Sequence, residues 1–275
     1  MKLAGSSHSV CLIIGDPVAH SLSPRMHNAG YRALDINFFM GAARIPADGL
    51  SEAIAGVKAL GIRGLACTMP HKVAICPLLD DLDPVAETIG AVNTVVQEDG
   101  RLRGFNTDWI GILRPLESLV SLRGTKVAIL GAGGAALAAI YACVSAGAVV
   151  SIFNRTLAKA AGTANRFGTE LLPLSESSDL SPYRVIINTT SVGMSPQENL
   201  SPLTKQQVCP HHIVFETIYH PRETKLLQLA SSCGATTLRG LDMFIEQGVA
   251  QFELHTGLKA PREAMRNEIY PPLVT

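Results

Sequence analysis

The residues whose types and spacing most directly suggest chemistry run Lys126-Val127-Ala128-Ile129-Leu130-Gly131-Ala132-Gly133-Gly134-Ala135-Ala136. An apolar strand passes into a glycine turn and then into the first turn of a helix, in the pattern G-x-G-x-x-A. Gly131 permits the tight turn, Gly133 lets the backbone approach a pyrophosphate, and Ala136 allows close helix–strand packing, with Ala132, Gly134 and Ala135 completing a loop that aims the helix N-terminus at an anion. The next strand, Val149–Phe153, ends in Asn154-Arg155-Thr156, where an NAD site would carry Asp or Glu for the ribose 2′-hydroxyl. A basic side chain there, with Lys159 one helical turn on, suits a 2′-phosphate instead. The expected cofactor is NADP. Read alone, the glycines could serve only an ordinary βα turn and Arg155 could be a solvated surface cation.

A second set of polar residues clusters at the expected C-terminal ends of strands in the first hundred or so residues, where open α/β sheets bind ligands. It comprises His20-Ser21-Leu22-Ser23-Pro24, Thr68-Met69-Pro70-His71-Lys72, Ala91-Val92-Asn93-Thr94 and Gly104-Phe105-Asn106-Thr107-Asp108. Each has a plain structural alternative. Ser23 could cap a helix, Asn93 and Thr94 could satisfy a turn, Lys72 could be a solvated lysine, and Asp108 could cap the helix that follows.

The elements that must position these residues alternate between strand and helix. Strands are predicted at Val10–Gly15, Asn37–Ile45 and Gly64–Met69, and helices at Ser23–Leu34, with serine as N-cap and proline at N1, and at Asp48–Leu60. Val92–Val96 and Leu102–Phe105 flank Asp99-Gly100, a hairpin signal. A helix from Trp109 leads into βα units running to about Gly240, with later strands at Val185–Asn188 and Ile213–Glu216. A final helix is read from Met243 to about His255. The expectation is an α/β fold with mainly parallel sheets, in two lobes with a cleft between them. Residues 1–108, completed by C-terminal helices within 241–275, form the substrate domain, and residues 109–240 form a Rossmann-type NADP-binding domain.

Length and composition agree with a two-domain enzyme. The chain has 275 residues, 47% of them hydrophobic and 17% charged, and zero formal net charge. No basic block marks a nucleic-acid or membrane surface. Six cysteines without a C-x-x-C pair, a polar start at Met1–Ser9 and an apolar run at Val10–Ile14 too short for a signal segment together predict a reducing, cytoplasmic setting.

Taken together, the polar segments resemble the shikimate dehydrogenase family. The resemblance continues through Gly131–Ala136, Asn154-Arg155-Thr156, Asn188-Thr189-Thr190-Ser191-Val192-Gly193-Met194, Tyr219-His220-Pro221 and Gly240-Leu241-Asp242-Met243-Phe244-Ile245-Glu246-Gln247, so it covers nearly the whole chain. It implies reversible, NADP(H)-linked interconversion of shikimate and 3-dehydroshikimate in aromatic biosynthesis. Lys72 and Asp108 match the family's catalytic lysine and aspartate. Ser21 and Ser23 match the pair that binds the substrate carboxylate, with Tyr219 nearby, while Thr68, Asn93 and Gln247 match the binders of ring hydroxyls. Thr190 and the Gly240 backbone match neighbours of the cofactor. The expected partner is this small-molecule acid, with no nucleic acid and no membrane, on a monomer or homodimer. A carboxylate beside Lys72 would raise its pKa and desolvation would lower it, and the residue types do not decide between them.

Two positions depart from the family pattern. Ala66-Cys67 stands where asparagine and valine are usual, and Glu216 where aspartate is usual. Paralogues that use quinate or aminoshikimate share most of these motifs, and a non-catalytic NADP-binding regulator is a further alternative. His211-His212 reads as a strand-edge surface pair without metal-ligand spacing, His71 has no assigned role, Trp109 reads as packing, and no metal is expected.

Overall fold

The computed structural model describes residues 8–270. Residues 1–7 and 271–275, which include most of the polar start and the end of the C-terminal completion, lie outside the described residues. The chain divides into two compact units, Met1–Thr107 with Ile245–Thr275, and Asp108–Phe244.

The first unit is built on a six-stranded sheet of β1 (Ser9–Gly15), β2 (Phe38–Arg44), β3 (Gly64–Cys67), β4 (Asp81–Leu82), β5 (Thr94–Glu98) and β6 (Arg101–Phe105), in the order β2-β1-β3-β5-β6-β4. Strand β1 pairs in parallel with β2 and β3, and β5 runs antiparallel to β3 and β6. The β5–β6 hairpin turns at Asp99-Gly100, both at positive φ (49° and 75°), as a type I′ turn requires. Helices α1 (Ser23–Ala33), α2 (Leu50–Ala59), α3 (His71–Ala74) and α4 (Pro84–Ile89) follow the strands. Leu50, Ile54 and Val57 on one stripe of α2 join Ile14, Leu65, Val95 and Leu102 in a buried cluster, each such side chain contributing about 1.5–3 kcal/mol.

Three readings are corrected here. Ser23 is the first residue of α1, not its cap: Leu22 holds the cap position without a side-chain bond, and Ser21 Oγ accepts from the Ser23 N–H at 3.2 Å. The hairpin's first strand begins at Thr94, not Val92, whose N–H donates to the Lys72 carbonyl of α3 rather than to a neighbouring strand. The start of the expected Asp48–Leu60 helix is a separate 3-10 turn, Ala47–Gly49.

The second unit carries a fully parallel sheet of β7 (Lys126–Leu130), β8 (Val149–Asn154), β9 (Glu170–Pro173), β10 (Val185–Asn188), β11 (Ile213–Glu216) and β12 (Thr236–Leu238), in the order β12-β11-β10-β7-β8-β9. The order reverses between β7 and β10, so the chain ends of those two strands flank the position where doubly wound sheets bind nucleotides. Helices α5 (Asp108–Glu117), α6 (Gly134–Ser145), α7 (Leu157–Phe167) and α8 (Lys225–Ser232) cover the sheet. Alternate residues of each strand feed opposite faces. Val127, Ile129, Ile152 and Ile187 pack with Ile112, Ala136 and Ile140, whereas Ala128, Leu130, Phe153 and Ile186 pack with Leu226 and Ala230. The strands are buried on both faces, hence their unbroken apolar runs. Trp109 packs edge-on against Tyr141 at 5.7 Å.

The last long helix, α9 (Gly240–Thr256), begins three residues before the expected Met243. It is followed by α10 (Arg262–Ile269), which packs on α1. Tyr31 of α1 stacks on Phe252 of α9 at 5.1 Å. Among the described residues no helix is long and apolar enough to cross a membrane.

Candidate active site

In the first unit a buried amide organises the polar residues. Asn93, 2% exposed, precedes β5, and its Oδ1 accepts from Thr107 N at 2.7 Å and from Thr94 Oγ1 at 2.8 Å. Its Nδ2 donates to Thr107 Oγ1 at 2.9 Å and to Gln247 Oε1 at 3.3 Å. A backbone N–H on one side and acceptor oxygens on the other leave the amide a single orientation. Gln251, one turn beyond Gln247 on α9, donates from Nε2 to Thr94 Oγ1 at 2.9 Å and to the Asn93 carbonyl at 3.1 Å. Ala66 stands opposite Thr94 in the β3–β5 register, so the hydrogen bond at Thr94 arrives from α9 rather than from β3.

The other expected residues of this unit lie at the strand ends. Thr68 follows β3, and its N–H donates to the Ile14 carbonyl at 3.0 Å. Lys72 sits in α3, where its carbonyl accepts from Val92 N at 2.7 Å, tying the helix to the Asn93 segment. Its neighbour His71 is 1% exposed and bonds the Ile45 carbonyl through Nε2 at 2.7 Å, a structural duty. Asp108, 3% exposed, is the first residue of α5 rather than a residue before it.

In the second unit Gly131 has φ 107°, a conformation L side chains rarely adopt, and a Cβ there would lie 2.9 Å from Thr189 Oγ1 and 3.2 Å from Thr190 Cγ2. The glycine turn therefore packs against the segment after β10. A Cβ on Gly133, in contrast, would meet nothing within 4 Å, so the loop is open where a phosphate would approach. Gly134 and Ala135 form the first turn of the twelve-residue α6, whose leading N–H groups have no intrahelical acceptor. Asn154 closes β8, with Nδ2 donating to the Thr156 carbonyl at 2.7 Å. Arg155, Thr156 and Lys159 are exposed, and among the described residues neither base forms an ion pair.

Behind the turn, Thr190 donates through N (3.0 Å) and Oγ1 (2.7 Å) to Asn188 Oδ1, and Asn188 Nδ2 donates to both oxygens of Glu216 at 3.0 and 3.1 Å. Glu216 is fully buried. Burial pushes its carboxyl up to about 7 against the opposing pull of its hydrogen bonds. Tyr219 packs on Phe244 at 5.0 Å, and Gly240 lies hard against the Ile218–Tyr219 peptide.

Comparison with known proteins places this geometry. The family profile described as "Shikimate dehydrogenase substrate binding domain" matches residues 13–95, "Shikimate / quinate 5-dehydrogenase" matches 116–223, and "Shikimate 5'-dehydrogenase C-terminal domain" matches 240–270. The chain is 42% identical over 265 residues to a shikimate dehydrogenase (NADP(+)) of Carboxydothermus hydrogenoformans, covering 94% of this chain and 95% of that protein. It belongs to the shikimate dehydrogenase family. Among solved structures, shikimate dehydrogenase of Aquifex aeolicus matches with TM-score 0.92 at 39% identity, covering 97% of this chain and 99% of that one. The Thermus thermophilus shikimate 5-dehydrogenase in complex with NADP(H) and shikimate matches with TM-score 0.88 at 35% identity, covering 95% and 98%.

Several residues of this family member were assigned no role from sequence. Thr94 and Thr107 carry no side-chain signal beyond lying next to Asn93 and Asp108. Gln251 was visible in principle, since it lies four residues after Gln247 on the same helical face. Asn188 and Glu216 each end an apolar strand run, V-I-I-N and I-V-F-E, and a polar residue in that position marks a strand end aimed at a site. The histidine pair is also corrected. His211 is exposed, but His212 is fully buried, and Cys209 brings a third candidate ligand within 4.8 Å. Both His212 nitrogens are already engaged, Nδ1 accepting from Cys209 N at 3.0 Å and Nε2 bonding the Leu180 carbonyl at 3.1 Å.

Proposed function

We propose that this protein is an NADP-dependent shikimate dehydrogenase, reversibly reducing 3-dehydroshikimate to shikimate. The observation that carries the reading is the likeness to an NADP-dependent shikimate dehydrogenase across 94% of the chain, which takes in both units. The open Gly133 loop and the unpaired Arg155 and Lys159 fit a dinucleotide bearing a 2′-phosphate. Gly131–Ala135 would receive its diphosphate, Asn154, Arg155, Thr156 and Lys159 its phosphorylated ribose, and Thr190 and Gly240 would lie beside it. When bound, the cofactor supplies or accepts the hydride.

The protein's own part is to hold the ring and move a proton. Lys72 Nζ donates to the substrate oxygen as a ketone becomes an alcohol, and recovers the proton in the reverse direction. The Asp108 carboxylate accepts from a ring hydroxyl. Ser21, Ser23 and Tyr219 bind the substrate carboxylate, and Thr68, Asn93 and Gln247 its hydroxyls. The Asn93 amide is fixed by neighbours before any ligand arrives, which lowers the entropy lost on binding. We also place the enzyme in the cytoplasm. None of the six cysteines is in a disulfide, and Cys11, Cys67 and Cys143 are buried, which supports a reducing compartment.

Steady-state assays with shikimate and quinate, each with NADP and NAD, test the proposal. The expected preference is shikimate with NADP. A preference for quinate would reassign the substrate, and no turnover with either acid would leave only a nucleotide-binding protein.

A further inference from the structure

Glu216 is a fully buried carboxylate that the mechanism does not use. It accepts four hydrogen bonds, from Asn188 Nδ2 on both oxygens, from Ile218 N at 3.0 Å and from Thr224 Oγ1 at 3.0 Å. These donors come from three places: the end of β10, the turn after β11, and the N-cap of α8, where Thr224 also accepts from Leu227 N. No cation is among them.

The bonds to Asn188 and Ile218 bear on backbone nearer the nucleotide turn. With Glu216 holding its nitrogen, the Asn188 amide must present its oxygen to Thr190, which donates to it twice. Thr190 and Thr189 are the residues against which the Gly131 turn packs. Ile218 N, which Glu216 holds, lies one peptide before the Ile218–Tyr219 peptide, the surface that excludes a side chain from Gly240, where a Cβ would lie 2.7 Å from Tyr219 N.

We propose that Glu216 is a positioning residue for the dinucleotide: one buried carboxylate sets the Asn188 amide and the Ile218 N–H, and through them the Thr190 side of the nucleotide turn and the backbone that leads to the Gly240 contact. The inference rests on the NADP reading above. Two carboxylate oxygens give these four bonds acceptor lone pairs on both sides. A glutamine would turn an N–H₂ group toward at least one of the donors, and a buried donor facing a donor is expensive to keep.

The test is a fluorescence titration of NADPH into Glu216→Gln and Glu216→Asp, alongside steady-state kinetics. In Glu216→Gln the NADPH Kd should rise at least fivefold while kcat at saturating substrates stays within twofold. Restoring a carboxylate in Glu216→Asp should bring Kd back within twofold of the unaltered protein. A glutamine variant that unfolds cooperatively near the unaltered Tm yet binds NADPH within twofold of it overturns the proposal. So does an aspartate variant as weak as the glutamine one, or a kcat that falls in step with affinity. Should Glu216→Gln not fold, Asn188→Ser reads the same relay one link on: a fivefold loss of affinity supports it and an unchanged Kd refutes it. The titration needs no chemistry, so an unaltered protein that binds NADPH but oxidises no shikimate defeats the proposed reaction and still leaves this inference decided by Kd. An unaltered protein that does not bind NADPH defeats both.

Discussion

Arg155 is the residue on which cofactor choice should turn. It is exposed at the end of β8, and among the described residues no carboxylate pairs with its guanidinium, so replacing it costs the protein no internal ion pair. The whole effect of Arg155→Ala should therefore fall on the ligand. A hydrogen bond to a charged group contributes about 1.5–3 kcal/mol, and about 1.4 kcal/mol is tenfold, which gives roughly one to two decades. Exposure and salt screening favour the lower end, so kcat/KM for NADP should fall about tenfold to thirtyfold. NAD lacks the 2′-phosphate, and its kcat/KM should stay within threefold. The assay is kcat/KM for both cofactors with shikimate at saturation, repeated at low and high ionic strength. The NADP preference of the unaltered enzyme should shrink as salt rises, while that of the variant stays flat. Equal losses on both cofactors, or an NADP loss below threefold, would refute the assignment.

Three further perturbations follow from the geometry. Lys72→Ala should lower kcat by about a hundredfold or more in a protein of unchanged circular dichroism, the range expected when a general acid is lost, and near-normal turnover would remove Lys72 from the proton step. Gly240→Ala drives a methyl into the Ile218–Tyr219 peptide, so overpacking of about 1–3 kcal/mol should lower Tm and weaken NADPH, and an unchanged Tm would show that the peptide can retreat. His27 and His255 are fully buried, and burial lowers them to about 3 and about 4. Folded pKa values below the unfolded value mean that their stabilisation is present above about pH 6.5 and is lost as pH falls toward those values. Each can steepen the loss by up to about 1.4 kcal/mol per pH unit, whereas Glu216, raised to about 7, favours the fold on the acid side and loses that as pH rises. Urea unfolding of His255→Leu between pH 7 and pH 4 should show a shallower pH slope than the unaltered chain; an identical slope would mean the ring is not the titrating group.

Much of this was legible because two kinds of signal are local. A parallel sheet buried on both faces writes unbroken apolar runs such as Val185–Asn188 and Ile213–Glu216, and a glycine turn between strand and helix announces itself by spacing. Boundaries failed where a side chain took over a backbone task. Ser21 supplies the bond that Ser23 was expected to supply, and the Asn93 side chain captures Thr107 N just before β5, which begins two residues after the expected Val92. His212 looked like a surface residue because its burial depends on the Leu180 carbonyl, thirty-two residues away. Contacts at such separations leave no trace in the pattern around a residue.

The two hubs, Asn93 beside the proposed substrate and Glu216 away from any ligand, show how a buried polar group can govern binding by holding its neighbours in place. Each is nearly or fully buried, and each has its acceptor oxygens engaged by donors from several segments. An amide or a carboxylate in that position has one arrangement that satisfies its neighbours, and turning it would leave donors unmet at about 1–3 kcal/mol apiece. That penalty is what makes the arrangement a stable template before substrate or cofactor arrives. It also separates the effects of substitution. A change at a residue that contacts the ligand removes one interaction, whereas a change at a hub releases several contacts together. Losses at Glu216 and Asn188 should accordingly fail to add, since the second change acts on a relay that the first has already broken.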